Sequence, residues 1–489
     1  MSQEEFPIKR SFIEETFPVR EVSEESAREK NIRHGHISTL HIWWARRPLA
    51  ASRATAYAAL IPAPDSIEEA EKVKQFIAEL CKWENSLNPT YIEKAREDIK
   101  RALGHTPRVL DPFAGGGAIP LEALRLGCET YASDYNPVAV LILKAVLEYP
   151  QKYGKKLVED VKKWGKWVLE EAKKEIGRFY PNDVIEQKGY FGESGEEYIP
   201  VGYIWARTIP CQNPSCGAEI PLMRQFWLAK KSNKKVALYP YVEGKDVKFK
   251  VVGDGYEEMP KDFDPSKGTV KGAIATCPVC GSTVDAKTTR RLFQEGKAGE
   301  RMVAVVLHHL KKKGKFYRIA NEKDVEVFRQ AEKELEKKVE ELRKKWGIEP
   351  VPDEPTPEGK GKGAERAFSV RNYGLNTWGD LFNSRQKLAL ITFVDKVREA
   401  YRRMVEEGYE EEYARGVVTY LALNFNRFAS YCSTLGYWHV TGEKMSPAMQ
   451  RQAIAMVFDY AESNPFAESF SWITNLDWIL RVIEHCSHA

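Results

Sequence analysis

A glycine-rich turn between a short apolar strand and a helix constrains the fold of this chain more than any other feature. Residues 108–110 (Arg-Val-Leu) predict a strand, and Asp-Pro-Phe-Ala-Gly-Gly-Gly follows directly at 111–117. A helical segment over 118–126, a glycine at 127 and a second strand over 129–133 come next. Strand, glycine turn, helix and strand in this order begin a doubly wound α/β sheet, so we predict a Rossmann-like core.

Two acidic residues frame this turn. Asp111 ends the first predicted strand, and Asp134 follows the second. Glycines let a ligand approach the backbone closely, and amides at the start of the next helix point toward it. An acidic residue after the second strand of such a unit accepts hydrogen bonds from ribose hydroxyls. Dinucleotide binding is less favoured because Gly-x-Gly-x-x-Gly is missing, and the lack of Gly-Lys-Ser/Thr excludes a P-loop.

Four of the eight cysteines occur in two pairs. Cys211 and Cys216 form a C-x4-C pair, Cys277 and Cys280 form a C-x2-C pair, and a glycine follows each pair. Two such knuckles supply four thiolates for a tetrahedral Zn²⁺, which a reducing cytoplasm favours over disulfides. With all four positions filled by sulfur, we expect structural zinc rather than catalytic zinc; the alternative is four unligated thiols.

The length of 489 residues suggests about three structural units. Along the chain we predict a helical N-terminal domain over 1–105, the start of the Rossmann-like core over 106–202, a zinc ribbon insertion over 203–290, a strand with a long charged helix over 291–349, a linker over 350–365 and a helical C-terminal region over 366–489.

Charge and hydropathy limit the classes of partner that this chain could bind. Lys and Arg total 74 against 70 Asp and Glu, so the formal net charge of +4 permits a nucleic-acid partner without demanding one. No apolar run approaches the roughly 20 residues of a membrane span. Residues 1–12 mix charges and contain no apolar stretch, unlike a secretory signal. We therefore expect a cytoplasmic protein with no membrane partner.

The stretch over 111–137, DPFAGGGAIPLEALRLGCETYASDYNP, resembles the S-adenosylmethionine-binding motif of amino-methyltransferases, which modify exocyclic amino groups in DNA and some RNAs. The resemblance implies that Asp134 holds the ribose of this cofactor, and that Tyr135 and Asn136 flank its adenosine. It also implies that residues of the glycine turn surround the methionine part of the cofactor: Asp111, Phe113, Ala114, Gly115 and Gly117.

A second stretch, His-Ile-Trp-Trp-Ala-Arg-Arg-Pro-Leu over 41–49, resembles the segment that precedes the glycine turn in many DNA amino-methyltransferases. There a basic residue followed by proline starts a helix beside the cofactor, and Trp44, Arg47 and Pro48 are the matching positions. An alternative remains in which the two tryptophans are core residues and the arginines are solvated.

Together, the glycine turn and the cysteine pairs resemble the zinc-ribbon-containing adenine-specific DNA methylases, whose cofactor-binding N-terminal part this chain would represent. Segments 376–386 and 426–428, with Trp438, share the character of that family. The resemblance implies S-adenosylmethionine and Zn²⁺ as cofactors and DNA as the partner. It favours adenine N6 over cytosine N4 as the methylated atom, in a restriction-modification or phage-defence setting.

One feature of that family is missing. Its members hold a flipped-out base in an Asp/Asn-Pro-Pro-Tyr/Phe/Trp loop, and this chain has no Pro-Pro dipeptide. The nearest segment, Asn464-Pro465-Phe466, is expected to be a turn at the start of a helix.

We therefore expect the catalytic loop on a second subunit or on a missing C-terminal part, leaving an incomplete sheet here and activity only with that partner. Two alternatives remain: an RNA amino-methyltransferase of the guanosine N2 type, and a non-catalytic nucleic-acid-binding regulatory subunit.

Overall fold

The computed structural model describes residues 10–184, 195–361, 363–449 and 453–488. The chain divides into two compact units, each assembled from segments distant in sequence. The first contains Met1–Gly165, Tyr401–Asn424 and Leu476–Ala489, and the second contains Lys166–Ala400 and Phe425–Asn475. The six consecutive regions expected from the sequence stay a prediction. Residues 1–9, on which the expectation about a secretory signal partly rests, lie outside the described residues.

Most of the predicted helices are present. The α-helices in the described ranges are, in chain order, α1 (Phe12–Glu15), α2 (Val19–Glu29), α3 (Leu49–Leu60), α4 (Ile67–Leu80), α5 (Pro89–Leu103), α6 (Ala118–Arg125), α7 (Pro137–Leu143), α8 (Tyr149–Ile176), α9 (Ala286–Gln294), α10 (Glu322–Trp346), α11 (Ala364–Ala367), α12 (Ser384–Glu406), α13 (Glu411–Ala429) and α14 (Trp472–Cys486). Shorter helical turns occupy Ile37–Thr39, Trp83–Asn85, Lys144–Glu148, Gly177–Phe179, Val370–Tyr373 and Gly379–Leu381. None of the helices within these described ranges is long and apolar enough to cross a membrane.

The strands among the described residues form five separate sheets. They are β1 (Arg108–Asp111), β2 (Glu129–Ala132), β3 (Asp183–Val184), β4 (Glu197–Pro210), β5 (Glu219–Leu222), β6 (Trp227–Lys231), β7 (Lys234–Glu243), β8 (Asp246–Gly253), β9 (Val270–Lys271), β10 (Ile274–Thr276), β11 (Thr283–Val284), β12 (Gly299–His309), β13 (Lys312–Ile319), β14 (Tyr437–His439), β15 (Lys444–Ser446) and β16 (Asp459–Ser463). Of these strand pairs, β1 and β2 are parallel, whereas the pairs in the other four sheets are antiparallel.

In the first unit, helices cover one face of the parallel pair β1–β2. Alanines of α3 allow it to pack closely against α2, α5 and α6, and Val109 of β1 packs against the same apolar core. On the opposite face Leu110 and Tyr131 lie side by side and are 67% and 48% exposed. Parallel sheets are ordinarily covered on both faces. The described residues thus supply the first two strands of the predicted core and leave one face of the sheet bare.

The second unit is built on a six-stranded antiparallel sheet. The order is β13–β12–β4–β16, and β3 and β5 also pair with β4. Apolar clusters lie on both sides of this sheet, one around Leu238 and Val306 and the other around Trp205 and Val305. The fourteen-residue strand β4 therefore organises the unit.

The sequence predicted a helical C-terminal region over 366–489, but the structure also contains three strands there. Strand β16 pairs with Gly202–Ala206 of β4, and β14 and β15 form a hairpin. The sequence of β16, Asp-Tyr-Ala-Glu-Ser, contains no β-branched residue. Strand propensity reflects the pleated surface on which a segment packs, so this strand was not visible from its local sequence.

The segment predicted as a linker is anchored over part of its length. The amide of Thr356 donates to the carbonyl of Asn376 at 2.9 Å, and the amide of Gly379 donates to that of Pro352 at 2.8 Å. The Thr356 side chain is buried and bonds to the carbonyl of Leu375. Residues 352–356 are therefore held by main-chain hydrogen bonds; Lys362, within the predicted linker, lies outside the described residues.

Candidate functional site

The glycine turn lies at the carboxyl ends of β1 and β2, where the two acidic residues brace it. The Asp134 carboxylate accepts hydrogen bonds from the amides of Gly115 at 2.9 Å and Asn136 at 2.8 Å. Asp111 accepts from the amide of Phe113 at 3.2 Å. Gly115 and Gly117 have φ values of +51° and +80°, a region that residues with a Cβ rarely adopt. The sequence therefore folds locally into a turn whose shape depends on glycine and on Asp134.

The Trp43 side chain lies directly on this turn. A Cβ atom on Gly115 would come within 2.4 Å of the Trp43 Nε1 atom, and one on Gly116 would come within 3.3 Å of the Trp43 Cβ atom. The sequence explained these glycines by the approach of a ligand. In the structure they also make room for a tryptophan.

A crevice of about 350 Å³ opens between the glycine turn and the segment before α3. Its lining residues are Trp43, Ala45, Arg46, Arg47, Asp111, Phe113, Ala114, Gly115, Gly116, Ala118, Ile119 and Asp134. This volume is within the range of small-molecule sites. Two carboxylates suit an ammonium group and ribose hydroxyls, and the apolar and aromatic walls suit a nucleoside, so these residues fit S-adenosylmethionine.

Six of the eleven residues expected to bind the cofactor line this crevice: Arg47, Asp111, Phe113, Ala114, Gly115 and Asp134. The other five do not. Gly117 lies against Leu143 and begins α6, and Pro48 precedes α3. Tyr135 is 99% exposed, Trp44 is 57% exposed, and the Asn136 side chain caps α7 by accepting from the amide of Val138. Whether any of the eleven contacts the cofactor stays a prediction.

The sequence reasoning missed Trp43 and Arg46 as crevice residues. Only tertiary packing shows that Trp43, rather than Trp44, lies on the turn and that both arginines line the crevice. Burial lowers the pKa of the Arg46 guanidinium from its ordinary value, although the charge of Glu29 opposes this effect. Arg46 is thus a cation held partly out of water that lines the same crevice as two carboxylates.

Glu29 fixes the position of this segment. Its buried carboxylate accepts hydrogen bonds from the amides of Leu49 at 2.9 Å and Ala50 at 2.8 Å, at the start of α3. It also bonds to Nε2 of His36 at 2.7 Å. Burial alone would raise the pKa of Glu29, but these hydrogen bonds lower it on balance. Because Pro48 and α3 follow the crevice segment directly, this cap anchors the chain just after Arg47.

A buried ionic cluster joins α3 to α6. The Glu122 carboxylate bonds to Nε of Arg53 and to Nη1 of Arg125, each at 2.5 Å, and all three side chains are at most 1% exposed. Breaking such a buried cluster typically costs about 3–5 kcal/mol because a charge is left without its partner. The helix after the glycine turn is therefore held against the helix after the crevice segment.

The second unit contains a cluster of four thiols. Cys211 and Cys216 lie in the turn between β4 and β5, and Cys277 and Cys280 lie in the turn between β10 and β11. All four sulfur atoms are within 4.8 Å of one another. The Cys211–Cys280 and Cys216–Cys277 distances are 3.6 Å and 3.9 Å. Sulfurs bound to one tetrahedral Zn²⁺ at about 2.3 Å would be about 3.8 Å apart, so the cluster could bind zinc.

The Asn464-Pro465-Phe466 segment was expected to be a turn at the start of a helix. In the structure it directly follows strand β16, and the next helix, α14, begins only at Trp472. The Asn464 side chain is buried; its Nδ2 donates to the carbonyl of Pro200 at 2.7 Å and its Oδ1 accepts from the amide of Phe466 at 2.9 Å. This amide group is therefore used to hold the turn.

The segment over 376–386 forms a buried polar network with β16. Glu462 accepts hydrogen bonds from Arg385 at 2.6 Å, Trp205 at 2.8 Å and Asn383 at 3.0 Å. The Arg385 guanidinium also lies 4.0 Å from the centre of the Tyr203 ring. These contacts account for Asn383 and Arg385 of the segment through packing in the second unit.

Comparison with known proteins gives matches over two parts of the chain. Residues 93–212 match the family model of D12 class N6 adenine-specific DNA methyltransferases, and residues 16–85 match that of a protein family of unknown function (DUF1156). No curated protein and no solved structure matches the chain significantly. The first match includes the glycine turn, and the second includes Trp43 and Arg46. The chain thus carries a domain similar to D12 class N6 adenine-specific DNA methyltransferases, preceded by a region similar to a family of unknown function.

Proposed function

We propose that this chain binds S-adenosylmethionine as the cofactor-binding part of a DNA adenine N6-methyltransferase. The observation that carries the proposal is the crevice at the carboxyl ends of β1 and β2, which is lined by the carboxylates of Asp111 and Asp134 and by Arg46 and Arg47. Ligands of open α/β sheets bind outside the carboxyl ends of the strands. The glycine turn and both carboxylates of the crevice lie in the part of the chain similar to D12 class methyltransferases.

The roles of the residues follow from their chemistry. When bound, S-adenosylmethionine supplies a methyl group that passes to the neutral amino nitrogen of the base, which then loses a proton. Asp134 accepts from ribose hydroxyls, as an acidic residue after the second strand does in such units. Asp111 attracts the ammonium group of the methionine part. Trp43 limits the access of water to the glycine turn.

The target-base loop belongs, in this proposal, to a second polypeptide or a further segment of the protein. Its motif is missing from the sequence, and the amide group of Asn464 is already bonded to the backbone. Leu110 and Tyr131 leave apolar surface exposed on one face of the β1–β2 sheet, beside the Arg108–Glu129 ion pair. Phe113 is also exposed, beside the crevice. A partner that completes the sheet would cover these side chains and bring the loop to the cofactor.

Isothermal titration with S-adenosylmethionine tests the cofactor site. Because Asp134 holds both the glycine turn and, we propose, the ribose, Asp134→Ala should weaken binding at least tenfold, or about 1.4 kcal/mol. Asp134→Asn keeps an acceptor for the Gly115 amide and should weaken binding while preserving the turn. Asp477→Ala removes an exposed carboxylate that pairs with Arg481 on α14 and should bind like the unchanged chain.

Equal affinity in the Asp134 variants, or no binding by the unchanged chain, would contradict the site. Methyl transfer from labelled cofactor to duplex DNA and to tRNA, measured with the completed enzyme, separates the DNA enzyme from an RNA enzyme. No transfer to either substrate would favour a regulatory subunit.

A further inference from the structure

Two lysine-rich hairpin tips of the second unit form a basic patch. One tip joins β6 to β7 and reads Lys-Lys-Ser-Asn-Lys-Lys over 230–235, and the other joins β12 to β13. The eight lysines of this basic patch are Lys230, Lys231, Lys234, Lys235, Lys311, Lys312, Lys313 and Lys315. Neither tip is unusual by itself, since short lysine runs commonly face water.

Tertiary contacts bring the two tips together. The Nζ atom of Lys234 donates to the carbonyl of Lys315 at 2.6 Å and to the Glu443 carboxylate at 2.7 Å. Lys231 and the hydroxyl of Tyr317 bond to the same carboxylate. The buried Glu443 thus ties both hairpins to one point, and the remaining lysines lie at or near the tips of the same two strand pairs.

The basic patch carries more positive charge than its carboxylates balance. The Glu443 carboxylate forms ion pairs with both Lys231 and Lys234, and Glu196 pairs with Lys312 at 2.5 Å. In the ranges that the structure describes, no carboxylate lies within ion-pair distance of Lys230, Lys235, Lys311 or Lys313, all of which are exposed. Burial lowers the pKa of Lys315; the charges of Glu443 and Glu468 oppose this effect, whereas those of Lys231 and Lys234 add to it.

The long helix α10 shows the opposite arrangement. Two of its lysines pair with glutamates three or four residues away, Lys337 with Glu334 and Lys344 with Glu340. The whole chain has a formal charge of only +4, so the unbalanced lysines of the basic patch are a local concentration. Such a concentration marks an electrostatic footprint for a polyanion.

We propose that the basic patch holds the phosphate backbone of duplex DNA. The choice of DNA rests on the proposed function, and the choice of surface rests on the contacts above. Lysines are point charges that position a backbone without reading its sequence. Duplex DNA presents a charge about every 1.7 Å along its axis, which suits several ammonium groups held at fixed separations by two strand pairs.

The salt dependence of DNA binding tests this surface. In the full chain, Lys235, Lys311 and Lys313 are changed together to Gln, because their exposed side chains leave the hairpin contacts intact. A matched control changes Lys333, Lys337 and Lys344 of α10 to Gln and removes the same charge. Binding of a fluorescent DNA duplex is measured by anisotropy across about 50 to 200 mM salt.

The patch variant should bind at least tenfold more weakly at the lowest salt. In a plot of the logarithm of its DNA association constant against the logarithm of the salt concentration, the slope should be less steep by about 2.7. This difference corresponds to about 0.9 for each phosphate that no longer has a lysine partner. The control should match the unchanged chain in both respects. Titration with S-adenosylmethionine should give the same affinity for all three proteins.

Three results would overturn the proposal. The first is equal slopes for the patch and control variants, and the second is no DNA binding by the unchanged chain at low salt. The third is a patch variant that binds DNA like the unchanged chain but binds phosphatidylglycerol vesicles more weakly. Each leaves the cofactor titration unaffected. Failure of the basic patch as a DNA surface is therefore distinguishable from failure of the proposed function.

Discussion

Gly115 shows how a single missing side chain shapes the candidate site. Its φ of +51° and the Trp43 indole both oppose a Cβ atom at this position. Gly104 offers a matched comparison, because its φ of +71° is also positive but a Cβ atom there would have no neighbouring atom within 4 Å. Comparing substitutions at these two glycines therefore distinguishes the effect of backbone strain from the effect of the contact with Trp43.

We predict that Gly115→Ala weakens S-adenosylmethionine binding at least tenfold, whereas Gly104→Ala leaves it unchanged. Both variants should lose about 1 kcal/mol of folding stability from the positive φ alone, and Gly115→Ala should lose more because Trp43 must move. Calorimetric titration and chemical denaturation measure the two effects. Equal cofactor affinity for the two variants would mean that the turn does not depend on this contact.

His485 is a buried histidine among cations. Its ring stacks on Trp83 at 4.5 Å, and its carbonyl accepts from Arg125 at 3.2 Å. Burial, followed by the charges of Arg125 and Arg53, holds the pKa of His485 well below its usual range. The folded protein therefore keeps this ring neutral.

The unfolded chain protonates this histidine below about pH 6.5, whereas the folded chain keeps it neutral. The part of the folding stability that depends on the neutral ring is therefore present above that pH and lost as the pH falls. His485→Phe keeps the stacking but cannot titrate. From about pH 7.5 to about pH 5.5, the unchanged chain should lose at least about 1 kcal/mol more unfolding free energy than the variant. Urea denaturation at the two pH values measures this difference, and parallel losses would contradict the assignment.

At the scale of elements, the cysteine knuckles connect two turns that belong to different sheets. The β4–β5 turn lies at the end of the large sheet, and the β9–β10–β11 sheet contains only short strands of two or three residues. Strands this short gain little from their own hydrogen bonds. A metal bound by both turns would stabilise the small sheet directly.

We predict that the chain binds one Zn²⁺ per molecule and that Cys211→Ser abolishes this binding. Removal of the metal should unfold the segment around β9–β11 and lower the melting temperature, because binding energy to such a site is folding energy. Metal analysis and hydrogen exchange measure both effects. Cys128→Ser, at a buried cysteine outside the cluster, should retain the metal; equal zinc content in both variants would refute the site.

At the scale of the whole molecule, the exposed face of the β1–β2 sheet is where we propose that a partner docks. Leu110 lies beside Tyr131 in the middle of this face. We predict that Leu110→Asp prevents methyl transfer by the chain combined with a polypeptide that carries an Asp-Pro-Pro-Tyr loop. Cofactor affinity should stay unchanged, because Leu110 does not line the crevice.

Ile67→Asp provides the control, since Ile67 is 84% exposed at the start of α4. This variant should support methyl transfer as the unchanged chain does. Co-purification and labelled-methyl incorporation into DNA measure the outcome. Equal activity of the two variants would show that the β1–β2 face does not dock a partner.

The sequence by itself determined the features that depend on neighbouring residues. The Ala-rich helix α3, the strands β1 and β2, the glycine turn and helix α10 all follow from local periodicity, capping and glycine placement. The clustering of the four cysteines was also predictable, because cysteine pairs with knuckle spacing are typical of zinc sites. Both classes of signal lie within short stretches of chain.

Only the tertiary structure decided the features that depend on distant partners. It placed Trp43 rather than Trp44 on the glycine turn, made β16 a strand through its pairing with β4, and joined two lysine runs around Glu443. Adjacent side chains of the same type are equivalent in a sequence pattern. They become different only when packing puts one of them against a particular backbone, and that packing energy comes from residues far away in the chain.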